Sequence, residues 1–269
     1  MFQKWKSVFL FFTIVSWLYL PNSEAEVSRT PFFKGERLFF HLRWGVISAG
    51  EATLEVVSDP SAADTEHFRF VMTARTTPFI DRFYKVRNRM ESVTDGKMTR
   101  SLFFDKNQNE GRSSKVAQVR IDWSRNESCY FSQERCKYTL LLPPGTFDPL
   151  SAFYYVRSLP LEDQFSIERP VTDGKKCILG RAKVLRREMV TVPMGTFDTY
   201  LLEPEIEQVG GVFKKSKGAK IYIWVTADER KIPVKLQSKV IIGSFVGELV
   251  SANGLISSTE QKATATINR

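Results

Sequence analysis

LFFHLRW (residues 38–44) and VISAGEATLEV (46–56), parted by Gly45, decide the fold of this chain. In the first run Leu38, Phe40, Leu42 and Trp44 alternate with Phe39, His41 and Arg43. In the second, Val46, Gly50, Ala52, Leu54 and Val56 share one face. A period of two marks extended strands, because successive side chains point to opposite sides of the backbone. The two runs therefore predict an antiparallel hairpin with an apolar face.

The same pattern continues on both sides of one interruption. Strands are predicted at 67–76, 85–94, 98–105 and 115–123, separated by turns such as Asp95-Gly96 and Asn109-Glu110-Gly111. They resume at 165–171, 176–187, 196–205, 219–226, 232–242 and 244–251. Between the two series, PPGTFDPLSAFYYVRSLP (143–160) predicts a helix: Asp148 can cap it, Pro149 suits its first turn, and Leu150, Phe153, Tyr154 and Arg157 fall at helical spacing. PPGTFD (143–148) and PMGTFD (193–198) read as two similar turns with Gly at the bend. About a dozen short strands joined by tight turns cannot stay flat in water. The fold class expected is mostly β: a curved antiparallel sheet or partly open β-barrel with one short helix packed on it, with a two-sheet sandwich as the alternative.

The first 25 residues carry a different signal. Lys4 and Lys6 precede an apolar stretch at 7–20, and Ser23-Glu24-Ala25 supplies small residues at a cleavage site, the pattern of an exported chain. The 14-residue core is shorter than the roughly 20 residues of a spanning helix. The expected organisation is a cleaved signal peptide at 1–25, one β-rich domain at 26–251 and a loose polar tail at 252–269, with the mature chain in the periplasm. The charges, 39 basic and 30 acidic over the full chain, fall to 37 and 29 after cleavage and leave +8. An exported protein does not meet the cell's nucleic acid, so the expected partners are an envelope lipid or anionic membrane surface, or an envelope protein.

Cysteine usage agrees with an oxidising compartment. Cys129 and Cys136 can face one another across a short hairpin and bridge, leaving Cys177 as a buried, inert thiol. No G-x-S-x-G occurs, and the only histidines, His41 and His67, lie in predicted strands. Metal-ligand spacings and cofactor motifs are missing, so no catalytic residue, metal or cofactor is assigned.

What remains is an aromatic excess, with 21 Phe in the chain. Aromatics can line a concave lipid-binding cavity or simply fill the core of a curved sheet. Adjacent pairs such as Phe39-Phe40 and Phe103-Phe104 favour a sheet covered on both faces. Lys85, Arg87 and Arg89 would project from one strand face as a cationic row; further basic clusters are Arg181, Lys183, Arg186 and Arg187, and Lys214, Lys215, Lys217 and Lys220. The candidate ligand-binding residues are Trp44, Phe83, Tyr84, Arg87, Arg89, Tyr154, Tyr155 and Trp224.

FFKGERLFFHLRWGVISAGEATLEV, RTTPFIDRFYKVRNRMES, DPLSAFYYVRSLPL, VPMGTFDTYLLEP and IYIWVTADERKIPVKLQSKVIIGSFVGEL, in that order over roughly residues 33–250, resemble the bacterial exported family catalogued as domain of unknown function 3108. That resemblance implies no activity. IWVTADERKIPVKLQ (223–237) is also similar to a hairpin of the LolA-type outer-membrane lipoprotein carriers. Their likeness implies an unclosed β-barrel with a hydrophobic cavity for acyl chains. The function expected is non-catalytic binding of a lipid or other apolar envelope component. An envelope scaffold offering sheet edges is the second reading. A hydrolase of envelope glycan or lipid is the third.

Overall fold

A computed structural model of the chain describes residues 30–57, 67–205, 220–239 and 244–255. The first series of strands comprises β1 (Arg37–Trp44), β2 (Ile47–Val57), β3 (His67–Thr76), β4 (Val86–Asp95), β5 (Ser101–Glu110), β6 (Ser113–Asp122), β7 (Glu127–Ser132) and β8 (Arg135–Leu141). Helix α1 (Pro78–Asp81) joins β3 to β4, and α2 (Pro149–Arg157) separates the two series. The second comprises β9 (Ser166–Thr172), β10 (Cys177–Val192), β11 (Gly195–Pro204), β12 (Lys220–Thr226), β13 (Pro233–Lys239) and β14 (Ser244–Asn253).

All fourteen strands form one antiparallel sheet. Each series is a meander, and the two are spliced where β1 pairs with β14, so the strands at the two ends of the sheet are β8 and β9. The opening hairpin has the predicted register, with Leu38 opposite Leu54 and Phe40 opposite Ala52. A register shift between Leu42 and Arg43 then breaks the alternation. Trp44, expected to share the face of Leu38, reaches the rim of the sheet instead, and Val46 at the turn is 96% exposed.

The inner face collects Leu38, Phe40, Leu54, Val56, Phe70, Phe104, Val119, Leu201, Trp224 and Leu249 into one core. Helix α2 fills its hollow. Phe70 of β3 stacks on Tyr154 of α2 at 3.9 Å between ring centroids, and Phe32 meets both rings edge-on. Of the two uses foreseen for the aromatics, the described residues show the filled core. A second layer forms where Leu159, Leu161 and Phe165 cover the outer side of β10–β12, so that Leu201 and Leu202 are buried on opposite faces. Phe39 and Phe103, expected to mark double coverage, stay half-buried on the outer face.

The helix is fixed by its cap. The Asp148 carboxylate accepts hydrogen bonds from the hydroxyls of Ser92 (2.6 Å), Ser101 (2.7 Å) and Ser151 (2.6 Å), and from the N–H groups of Leu150 and Ser151. One buried side chain thus ties the first turn of α2 to β4 and β5. Burial lifts its carboxyl above the ordinary range, against the pull of those donors.

The segment before α2 forms a seam between the start of β5 and the edge strand β9. Thr146 O accepts from Ser101 N–H at 3.1 Å, while Phe147 gives its N–H to Pro170 O and accepts from Thr172 N–H. Pro170 stands where its nitrogen faces this seam, the place a strand tolerates a missing donor. Above the strip, the β9–β10 turn tucks over β6 and β7. A Cβ on Gly174 (φ +84°) would stand 2.5 Å from Val119 Cγ2, and Lys175 Nζ lies 4.7 Å from the Tyr130 ring centroid.

Several expectations shift in detail. Helix α1 was not foreseen; it is one turn, capped by Thr77 with Pro78 behind it. The Cys129–Cys136 hairpin is a full strand pair, β7 and β8, and the two cysteines are bridged with 5.8 Å between their Cα atoms. Strand β10 runs on to Val192, and β14 ends at Asn253 inside the expected tail. The segment at 143–148 crosses the seam, whereas Pro193-Met194 makes the β10–β11 turn, so the two similar hexapeptides do different work. The signal peptide, most of the tail, and Lys214, Lys215 and Lys217 lie outside the described residues.

Candidate functional site

The seam leaves an open groove of about 540 Å³ between α2, β9 and the β4–β5 turn. Met98, Pro144, Gly145, Leu159 and Pro170 supply its apolar surface; Thr30, Thr99 and Ser158 supply hydroxyls; Tyr155, Arg169 and Lys97 complete it. That size falls in the usual range for small-ligand sites. Local sequence explains the walls. Met98 is held inward by a hydrogen bond from Thr94 Oγ1 to its sulfur at 3.0 Å, and Asp95 folds the β4–β5 turn by accepting from the Thr99 N–H at 2.7 Å.

Arg169 dominates the electrostatics. Its guanidinium carbon lies 4.9 Å from the Tyr155 ring centroid, and its Nη2 donates to the Tyr155 hydroxyl. Tyr155 is backed in turn by Phe147, with 4.9 Å between ring centroids. Arg37, Arg43, Arg75, Arg87, Arg157, Arg181, Arg186 and Arg187 all meet carboxylates. Arg169 meets none among the described residues, and no carboxylate lines the groove beside it and Lys97. A planar fork held by stacking, with donors to spare, is pre-organised for a carboxylate or phosphate.

The eight residues singled out in the sequence are scattered. Tyr155 alone lies in the groove. Tyr154, one residue away, points into the core, and Trp224 is buried on β12 with its Nε1–H donated to Glu188 at 2.7 Å. Trp44, Phe83 and Tyr84 are exposed at the opposite end of the sheet. Two of the three cations in the row are paired, Arg87 with Asp81 and Arg89 with Glu91, each at 2.6 Å, while Lys85 stands exposed just before β4. Arg169 and Lys97 were not foreseen. Pro170 is the sequence signal that points to them, because a proline inside a strand marks an edge.

The nearest approach to catalytic geometry is His41 Nε2 against Ser48 Oγ at 2.7 Å on the outer face. His41 lies opposite Glu51 and Glu248, but these carboxylates are held by Arg75 and Arg43. Neither is left to orient the ring as a triad requires. Cys177 is half-buried, and burial lifts its thiol above the usual range.

A single curved antiparallel sheet, plugged by a capped helix and carrying a groove at its seam, defines a β-barrel-like protein. The chain belongs to the family of proteins of unknown function DUF3108, whose model matches residues 40–250. Among solved structures it is similar to a β-barrel-like protein of the DUF1849 domain of unknown function from Brucella abortus, at 13% identity and TM-score 0.52, over 82% of this chain and 98% of that one. This likeness supports the fold alone. Looser matches are a hypothetical protein from Chlamydia trachomatis (8% identity, TM-score 0.38, 87% and 94% covered) and a candidate lipoprotein from Parabacteroides distasonis (12%, 0.33, 83% and 98%). No curated protein matches the chain.

Proposed function

We propose that the chain is a non-catalytic periplasmic protein that binds an envelope lipid, or another apolar envelope component with an anionic group, in the seam groove. One observation carries this reading: Arg169 is held over Tyr155 with no carboxylate partner among the described residues, in a half-apolar groove whose other charge is Lys97. Export rests on the sequence pattern of residues 1–25. The LolA-like hairpin suggests a carrier, but α2 and the Phe32, Phe70 and Tyr154 rings occupy the hollow where such carriers would hold acyl chains. The seam groove, outside that hollow, is open to a ligand.

The test is calorimetric titration of the protein with short-chain phosphatidylglycerol and phosphatidylcholine below their micellar concentrations. Preference for the anionic lipid is expected, with R169Q and K97Q each weakening it by about 10-fold or more, the worth of one charge-assisted contact. Equal binding of both lipids, or unchanged affinity in both variants, overturns the proposal.

A second reading, an envelope scaffold, is favoured by β8. This strand is hydrogen-bonded on one side only, to β7, and exposes Tyr138 and Leu141. Capture of a stoichiometric envelope protein that a proline at Thr139 abolishes would support strand addition there.

A further inference from the structure

The end of the sheet remote from the groove gathers exposed large apolar side chains from neighbouring strands and from α1. Phe245 at the start of β14 (47% exposed) stacks on Trp44 at the end of β1 (41%), with 6.0 Å between ring centroids and 12° between planes. Trp44 lies opposite Ile47 of β2. Helix α1 adjoins β2, because Thr77 gives its N–H to Ala49 O at 3.0 Å, and α1 and the turn after it present Phe79 (59%) and Phe83 (76%), in edge contact at 5.7 Å. Tyr84 reaches the β5–β6 turn, where a Cβ on Gly111 would stand 2.8 Å from its ring. Val46 projects from the same rim. Exposed apolar residues scattered singly are ordinary, but two aromatic pairs gathered with Tyr84 and Val46 at one end of the sheet fit a binding surface.

The charges on this rim select the occupant. Its carboxylates are engaged: Asp81 by Arg87, Glu51 by Arg75, Glu248 by Arg43, and Glu110 by the Asn88 amide at 2.7 Å. Arg82, Lys85 and Arg112 are exposed beside the aromatics and close no salt bridge among the described residues, although Lys85 lies near enough to Asp81 to help depress its carboxyl. Trp, Tyr and Phe at a rim, interleaved with exposed cations, suit the headgroup region of an anionic bilayer.

We infer that this end of the barrel docks on an anionic membrane surface, with the seam groove turned away from the bilayer. The aromatic rings enter the boundary between headgroups and acyl chains, while Arg82, Lys85 and Arg112 meet lipid phosphates. Docking is reversible, strengthened by anionic lipid and weakened by salt.

Co-sedimentation of the mature chain, residues 26–269, with phosphatidylglycerol-rich and phosphatidylcholine vesicles tests it. Partition into the anionic vesicles is expected, reduced by salt, with R82Q/K85Q lowering it roughly 30-fold from about 1 kcal/mol per cation. F79S/F83S is expected to lower it at least as far while leaving the calorimetric affinity of the groove for monomeric phosphatidylglycerol unchanged. That pair of readouts separates this proposal from the groove, since either can fail alone. No partition of the wild type, or equal partition of F79S/F83S, overturns it. So does sedimentation-velocity evidence that the rim joins two copies of the chain and that F79S/F83S separates them.

Discussion

The guanidinium of Arg157 closes a two-pronged ion pair on Glu36, Nη1 to Oε1 at 2.6 Å and Nη2 to Oε2 at 2.9 Å, with both side chains 1% exposed. The same guanidinium donates to Arg230 O at 3.1 and 3.2 Å and lies 5.3 Å from the Phe32 ring centroid. The last turn of α2, the segment leading into β1 and the β12–β13 turn therefore share one charge. Asp148 does the equivalent work at the other end of the helix, so α2 is pinned at both ends across the hollow.

Breaking that pair strands a charge in the core. R157A and E36A are each expected to cost about 3–5 kcal/mol, because the remaining ion stays buried without its partner. For a chain of this size each kcal/mol moves Tm by about 2–4 °C, so scanning calorimetry reads a drop near 10 °C. The double change R157M/E36M removes both charges and is expected to lose less than either alanine variant. A double variant as unstable as the sum of the singles contradicts a coupled pair.

The strands were legible wherever one face is buried and the other wet, as in β1, β2 and β6, because burial then writes a period of two into the sequence. They were not legible in β8, whose residues are almost all exposed and carry no alternation. Strand β10 was cut short at Arg186-Arg187, two outward cations that pair with Glu188 and Asp198 and so resemble a strand end only in sequence. Helix α2 was visible because its cap and first proline are local signals. The groove was not, since Lys97, Tyr155 and Arg169 meet only through strand order, which no short-range pattern encodes. Tyr154 and Tyr155 show the same limit: adjacent aromatics of equal promise, one turned into the core and one into the groove.

The three cysteines divide into a bridged pair and a shielded thiol. Denatured, unreduced protein is expected to titrate one thiol, Cys177, and native protein at neutral pH to react slowly, because burial raises this thiol and keeps its thiolate scarce. Reduction of Cys129–Cys136 reopens a short loop worth about 2.5 kcal/mol at most. Since β7–β8 is an edge hairpin, faster amide exchange there is expected before any change in the core. Three titrating thiols in the unreduced chain contradict the bridge.

Acid should destabilise the protein through partly exposed ion pairs. The hydrogen bonds from Arg87 and Thr76 hold the Asp81 carboxyl below the usual carboxylate range, and the hydrogen bond from Arg187 does the same for Asp198. A carboxyl whose folded value is depressed contributes stability above its unfolded value of about 4 and loses it as pH falls through the folded one. Tm is therefore expected to fall on acidification below about pH 4. D81N/D198N starts lower at neutral pH and loses less over the same acid range; parallel Tm curves for wild type and variant refute the assignment.

The Tyr154 hydroxyl is buried with no hydrogen-bond partner among the described residues, although its ring is stacked on Phe70 and edge-on to Phe32. Burial drives its ionisation far above the ordinary phenol range, so the group stays neutral at any working pH. An unpaired buried hydroxyl costs about 1–3 kcal/mol of desolvation, whereas the ring contributes through packing. Y154F is therefore expected to be neutral or to gain about 1 kcal/mol, seen as a small rise in Tm, and Y154A to lose about 3–5 kcal/mol as a cavity opens between α2 and β3. Phosphatidylglycerol titration of Y154F separates this structural role from the ligand role its sequence suggested. Unchanged affinity with raised stability places the hydroxyl in the core, whereas weakened binding at unchanged stability would mean that the ligand reaches past Tyr155 into the hollow of the sheet.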